Sequence, residues 1–327
     1  MPLPRLPRVS RRGFLLSSAA MAASPFARAA EAPPLPPDGK LSIVLDTDAY
    51  NEIDDQFAIA YALLSPDRIE TQAIYAAPFL NSRSRSAGEG MEKSYEEVYR
   101  IYERLGDVPK PPVFRGSERF IGDTDKPVKS AAAQDLIERA NRSSGKLWVV
   151  AVGAPTNVAS ALMLEPGLKE KITVVWLGGQ PHQFPSATEF NLKQDVAASQ
   201  TLFDSGVALV QIPTVNVSEQ LRTTIPEMER FLKGRSRISD YLLKIFVDYY
   251  AEHGYPLDAP RSKVIWDISA LAWLINPRWV PSRTTPAPKL TDDMRWELDD
   301  NRHPMRVATR VNRDAVFGDL FAKLVGA

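Results

Sequence analysis

From Leu41 onward, short and nearly unbroken apolar runs alternate with stretches whose apolar residues recur at helical spacing. The runs at 41–46, 71–76, 147–152, 172–177 and 207–212 read as strands, and apolar residues at consecutive positions are what a sheet covered on both faces requires. Between them, 54–64, 92–105, 131–141, 156–164 and 196–204 read as helices. This alternation predicts an α/β fold with a mostly parallel open sheet and helices on both faces. Beyond residue 225 helical patterns dominate, at 236–253, 266–275 and 313–324. No internal repeat or linker composition interrupts 41–327, so that span is expected to form a single domain. The polar stretch 81–90 reads as a long loop beside the second strand, in the position of an active-site wall.

The first forty residues break the pattern. Ser10-Arg11-Arg12-Gly13-Phe14-Leu15-Leu16 has the arginine pair and following apolar residues of a twin-arginine export signal. Ala27-Arg28-Ala29 supplies the small residues that a signal peptidase reads, which predicts a signal peptide over 1–29 and a soluble, periplasmic or secreted mature chain. The apolar run is too short to span a bilayer and is interrupted by Pro25 and Arg28, so no stable membrane association is expected after cleavage. Pro33, Pro34, Pro36 and Pro37 make 30–40 a stiff, extended leader. Forty basic side chains balance forty acidic ones, so no global field draws the protein to nucleic acid. Cysteine is absent.

Local charge is another matter. The segment IVLDTDAYNEIDDQFAI carries Asp46, Asp48, Glu52, Asp54 and Asp55 where a buried strand runs into a helix. Ligands of open α/β sheets sit at the carboxyl ends of strands, which is where Asp46 and Asp48 fall. Asn51 is the expected N-cap, with Asp54 and Asp55 in the first helical turn, where the helix dipole favours negative charge. Two like charges about 4 Å apart repel by roughly 4 kcal/mol at an effective dielectric near 20. One helix terminus offsets less than that, so a cation is the expected remedy. The three histidines, His182, His253 and His303, are distant in sequence, and an oxygen-only site suits Ca²⁺ or Mg²⁺. An EF-hand loop does not fit: counted from Asp46, the sixth position is Asn51 and the twelfth Phe57. The bland alternative is a helix start whose acids are merely solvated.

Three further segments bear on that choice. VVAVGAPTNVASAL ends a strand at Gly153 and opens a helix after Pro155; WLGGQPHQFPSATEFNLKQDVAAS passes through Gly178-Gly179 to Glu189 and Asn191; VIWDISALAWL sets Asp267 after Trp266 at a helix start. In this order, with the first-strand DTD…DD, the set resembles the inosine-uridine nucleoside hydrolase family, over nearly the whole mature chain.

The resemblance implies a Rossmann-like fold and calcium-dependent hydrolysis of ribonucleosides to ribose and a nucleobase. It implies Asp48, Asp55, Asp267 and the Val152 carbonyl as Ca²⁺ ligands, with two ribose hydroxyls and a water completing the shell. Asp54, Glu189 and Asn191 would bind the ribose, Asp46 would support the ligands, and Asp48 would be the general base. Trp266 stands where many members carry histidine; a tryptophan there is a feature of purine-preferring members and would stack on the base. The first motif is two residues longer than usual. Pro78 occupies the place of a common asparagine, with Asn81 the nearby substitute, and Gln183 stands where an asparagine usually meets the ribose 5′-hydroxyl. The resemblance also implies a homo-oligomer.

Two other readings compete. A phosphohydrolase would use the Asp46-Thr47-Asp48 pair as nucleophile and acid, but it leaves EFN and WD unexplained. An exported ribosyl-binding protein would keep the diol-cation site without turnover. Arg83, Arg85 and Lys93 could meet an anionic substrate, His182 could serve as an acid, and Tyr249 and Tyr250 could line a rim; a solvated face, an incidental histidine and core packing are the plainer readings.

Overall fold

The computed structural model describes Met1 and residues 32–327. The signal peptide expected over 1–29 lies outside the described residues, apart from Met1.

Eight strands form one sheet: β1 (Leu41–Thr47), β2 (Ile69–Ala76), β3 (Val113–Arg115), β4 (Leu147–Ala151), β5 (Ile172–Leu177), β6 (Ala208–Ile212), β7 (Ser282–Pro286) and β8 (Pro304–Ala308). Their order is β3-β2-β1-β4-β5-β6-β8-β7, every neighbouring pair being parallel except β8 with the edge strand β7. The expected mostly parallel open sheet is therefore present. Residues of β1 alternate between two cores, with Ile43 and Leu45 on one face and Val44 on the other, as the two-residue period of a doubly covered strand requires.

Among the described residues ten α-helices accompany the sheet: α1 (Asp55–Leu63), α2 (Ala87–Tyr102), α3 (Ala131–Arg142), α4 (Thr156–Leu164), α5 (Phe190–Gln194), α6 (Val196–Asp204), α7 (Ile225–Leu232), α8 (Arg237–Glu252), α9 (Ile268–Ile275) and α10 (Arg313–Val325). Helices α3, α4 and α6 contribute to the core around Val44, Val149 and Val174. Helices α1 and α7 to α10 contribute to the core around Ile43, Val150 and Val175. Helix α9 is apolar all round, and every residue from Ile268 to Leu274 is buried, which fits a helix enclosed by its neighbours.

Several expectations need correction. Asn51 is not the N-cap of α1; Asp54 holds that position, in αR geometry and without a side-chain capping bond. The polar loop is shorter than expected, because Ser86 accepts from the Glu89 backbone N–H and starts α2 at Ala87. Helices dominate the C-terminal part, but β7 and β8, which the apolar pattern did not show, extend the sheet there. Their sequences, SRTTP and PMRVA, carry proline and polar residues instead of an apolar run. The edge position of β7 tolerates both, and in β8 the proline is the first residue of the strand. The proline-rich stretch is laid against the body: Pro33 and Pro36 are buried, Arg306 Nε donates to the Pro33 carbonyl at 2.6 Å and Arg68 to that of Pro37 at 2.7 Å.

The sheet order reverses at β1, which has β2 on one side and β4 on the other. A crevice opens at the carboxyl ends of strands at such a reversal. Asp46 and Asp48 leave β1 there, and Val152 leaves β4.

Candidate active site

A cavity of about 390 Å³ occupies this crevice, and six acidic side chains line it: Asp48, Glu52, Asp54, Asp55, Glu189 and Asp267. Asp48 follows β1, Asp54 and Asp55 open α1, and Asp267 is the N-cap residue of α9. Carboxylates at helix starts usually accept backbone N–H groups. Neither Asp54 nor Asp267 does so for its own helix. Instead, oxygens of Asp54, Asp55 and Asp267 lie within 4.8 Å of one another. Two helix N-termini thus bring their acids to one point, where both dipoles favour negative charge.

Asp48 completes the group from the β1 side. It is 1% exposed, and neither Oδ1 nor Oδ2 has a hydrogen-bond partner among the described residues. The close approach of β4 to this carboxyl depends on Gly153, where a Cβ would stand 2.9 Å from Asp48 Cγ. Burial, then the charges of Asp55 and Asp54, hold the Asp48 carboxyl well above the usual carboxylate range. Burial and the other three carboxylates do the same to Asp267. Burial, with Asp54 adding repulsion, pushes Asp55 to about 7 even though Thr47 Oγ1 donates to it. Asp54 rises to about 6 through burial, moderated by Lys263. The Trp266 backbone N–H donates to Asp54 Oδ2 at 3.1 Å.

Metal-free, these acids are held as reluctant anions, the condition a divalent cation relieves. Orphaned buried oxygens, an oxygen-only donor set and three mutually close carboxylates all fit such an ion. The mutually close set is Asp54, Asp55 and Asp267, and Asp48 lines the same cavity beside it. Val152 also lines the cavity and presents its carbonyl to Asn191. Asn191 Nδ2 donates to it and to the Leu177 carbonyl, both at 3.0 Å, tying the ends of β4 and β5 together.

Glu189 is the N-cap of α5, accepting from the backbone N–H groups of Asn191 at 3.0 Å and Leu192 at 3.2 Å. It also accepts from Gly179 at 2.9 Å, whose positive φ of 69° makes the turn after β5. Burial still raises the Glu189 carboxyl. Asp46 is fully buried and does not line the cavity. Its Oδ1 accepts from Asn157 Nδ2 at 2.7 Å, and burial lifts it to about 7. That position suits a support for the cluster and leaves no exposed D-x-D pair for phosphoryl chemistry.

Trp266 and Asn81 line the cavity, and Asn81 Nδ2 donates to Asn51 Oδ1 at 2.7 Å. Gln183 does not. It lies in a separate depression with His182 and Arg283, and Gln180, next to the glycine pair, is the amide side chain on the cavity wall. Its Oε1 accepts from Thr214 Oγ1 at 3.1 Å. His182 is buried against Gln211 at 2.7 Å, and burial lowers it to about 4.

Arg83 donates to the Glu52 carbonyl and pairs with Glu252. Lys93 pairs with Glu89 and donates to the Arg83 carbonyl, and Arg85 pairs with Glu89. Tyr250 is buried and Tyr249 stacks on His253. None of these lines the cavity.

Sequence reasoning passed over Glu52 as a wall residue and Lys263 altogether. Lys263 is 8% exposed and pairs with Glu52 at 2.7 Å. Burial lowers its ammonium, yet Asp54 and Glu52 outweigh that and raise it. A lysine in the apolar run KVIWD, directly before the WD motif, was the available signal.

The profile of the family described as "Inosine-uridine preferring nucleoside hydrolase" matches residues 43–318. Among curated relatives, "Pyrimidine-specific ribonucleoside hydrolase RihA" of Shigella boydii is 28% identical over 323 residues, covering 86% of this chain and 97% of the relative. "Probable uridine nucleosidase 2" of Arabidopsis thaliana is 27% identical over 231 residues, covering 64% and 70%. Among solved structures, "Purine-Preferring Ribonucleoside Hydrolase from Gardnerella vaginalis" superposes with a TM-score of 0.69 at 23% identity, covering 87% of this chain and 98% of that one. This last likeness is one of fold.

Proposed function

The chain belongs to the inosine-uridine preferring nucleoside hydrolase family, metal-dependent hydrolases of N-glycosyl compounds, and on that premise we propose calcium-dependent cleavage of ribonucleosides to ribose and a nucleobase, with purines preferred among neutral bases. The supporting observation is Asp48, a buried carboxylate with no donor on either oxygen, set beside three further acids.

Asp48, Asp55, Asp267 and the Val152 carbonyl are the groups that would hold the cation. When bound, calcium supplies positive charge that acidifies a water and anchors vicinal hydroxyls. Asp48 takes the proton of the attacking water as general base. Asp54, Glu189 and Asn191 orient the ribose. As the bond from C1′ to the base nitrogen lengthens, the sugar gains oxocarbenium character, and the surrounding carboxylates stabilise that charge. Trp266 offers a face for the departing base, and a purine presents the larger surface to stack.

Export through the twin-arginine route and self-association belong to the same reading. Fractionation of cells carrying the Arg11→Lys, Arg12→Lys variant tests the first, and light scattering of the mature protein the second. The activity itself is tested by ribose release from a nucleoside panel, with chelator and with calcium restored. Turnover that chelation abolishes and calcium restores is expected. Binding without release of ribose, or turnover indifferent to chelator, contradicts the proposal.

A further inference from the structure

An N-glycosidic bond to a neutral base breaks easily only if the heterocycle is protonated, at a ring nitrogen or oxygen other than the glycosidic one, because otherwise the electron pair leaves on an anionic heterocycle. General acids contribute on the order of 10²- to 10⁴-fold to such steps. Around this cavity the side chains available for that task are unusual. Among its described lining residues there is no histidine, lysine or arginine. Its amides, Asn51, Asn81, Gln180 and Asn191, cannot transfer a proton at neutral pH. His182 is engaged with Gln211 and outside the cavity. Of the acids, Glu189 is occupied by three backbone N–H groups, Glu52 by Lys263, and the remaining four converge on the cluster.

Charge points the same way. A divalent cation offsets two of the six lining carboxylates and Lys263, behind the wall, a third. The cavity keeps an excess of negative charge. Trp266 and Phe190 are its aromatic side chains, and aromatic faces attract cations, tryptophan most strongly.

We propose that the preferred substrates of this site are ribosides whose leaving heterocycle already carries a positive charge, such as N-ribosyl pyridinium compounds or N-alkylated purinium nucleosides. This rests on the nucleoside hydrolase reading and narrows it. The step balances without a proton donor: water oxygen bonds to C1′, the C1′–N bond breaks with its electron pair passing to the ring nitrogen, and the heteroarene leaves neutral. The water proton goes to Asp48. Glu52 and Trp266 then act as specificity determinants, through charge and through the aromatic face.

The test compares kcat/KM for 3-carbamoylpyridinium riboside with that for inosine and uridine, using the full chain and reading ribose release. The ratio of cationic to neutral substrate is expected to be about tenfold or more. Trp266→His, which places an imidazole donor in the lining and removes the indole face, should lower the ratio by about tenfold. Glu52→Gln should lower it by about threefold. The second variant carries the test if the first does not fold, as judged by circular dichroism. A wild-type ratio at or below one, or one unmoved by every folded variant, overturns the inference while leaving neutral-nucleoside hydrolysis intact. Absence of ribose release from every riboside overturns both.

Discussion

Asp48 and Asp195 are both aspartates at the carboxyl-end face of the sheet, exposed by 1% and 2% respectively, and their surroundings are opposite. Asp195 caps α6 and receives four donors: the backbone N–H of Ile121 at 2.7 Å, Thr156 Oγ1 at 2.8 Å, and the backbone N–H groups of Gly122 and Ala198, both at 3.2 Å. Asp48 receives none, and its nearest charged neighbours are other carboxylates. A buried carboxylate surrounded by donors has exchanged its hydration for protein hydrogen bonds and serves the fold. One surrounded by acids has lost hydration without replacement, and only an external cation or a bound proton restores the balance. The same residue type therefore meets opposite surroundings in the two places, and only Asp48 is left without a hydrogen-bond donor.

The comparison breaks most sharply under substitution. Asp48→Asn should reduce ribose release by about 10³-fold. It should not lower the melting temperature of chelator-treated protein, because a neutral amide removes repulsion from the cluster. Asp195→Ala should do the reverse. It leaves four donors unpaired and should cost about 3 kcal/mol of stability, read by denaturant unfolding, with a far smaller loss of activity per folded molecule. Equal activity losses in the two variants would erase the distinction.

Acidity sharpens the contrast in the metal-free chain. Asp46 and Asp55 are pushed up to about 7 and Asp54 to about 6, by burial first in each case. Between about pH 4 and 7 the unfolded chain has released these protons and the folded chain still holds them, so stability falls as pH rises through that window. Chelator-treated protein should melt about 5 °C higher at pH 5 than at pH 8. Calcium should flatten or invert the difference, because the ion takes the place of the protons. A metal-free melting temperature that rises with pH across this window contradicts the account. The smallest effect is expected at Gln183→Ala, within about threefold of wild type, against a clear rise in KM for Gln180→Ala. The reverse order would show that the depression holding Gln183 takes part in substrate binding.

Much of this arrangement was legible in the sequence, and the failures have physical causes. The strand 172–177 and the helices 156–164 and 196–204 stand where their apolar periods put them, since buried parallel strands and amphipathic helices carry the strongest local patterns. Asp48, Asp55 and Asp267 meet at one cavity although more than 200 residues separate the last two. Order of motifs foretold that meeting; periodicity alone could not. The wall was less readable. Asn51 was expected to cap α1, yet its backbone carbonyl and Oδ1 both receive Asn81 Nδ2, a long-range bond that competes with the local one. Gln180 and Gln183 are three residues apart in an irregular loop, where side-chain direction follows tertiary contacts such as Thr214 and not a repeating period. The edge strand β7 lacked an apolar run because one of its edges needs no partner, and β8, next to it, is paired on both sides but short.

The proposed chemistry depends on the carboxylates Asp48, Asp55 and Asp267 gathering a divalent ion beside Asp54. Calorimetric titration of calcium into chelator-stripped protein, beside the Asp267→Asn variant, measures that most directly. One ion bound per wild-type chain, with proton release that grows as the buffer is made more acidic toward pH 6, and affinity lost in the variant, is the predicted result. A wild-type chain that takes up no divalent ion, or a variant that binds as tightly as wild type, would contradict it.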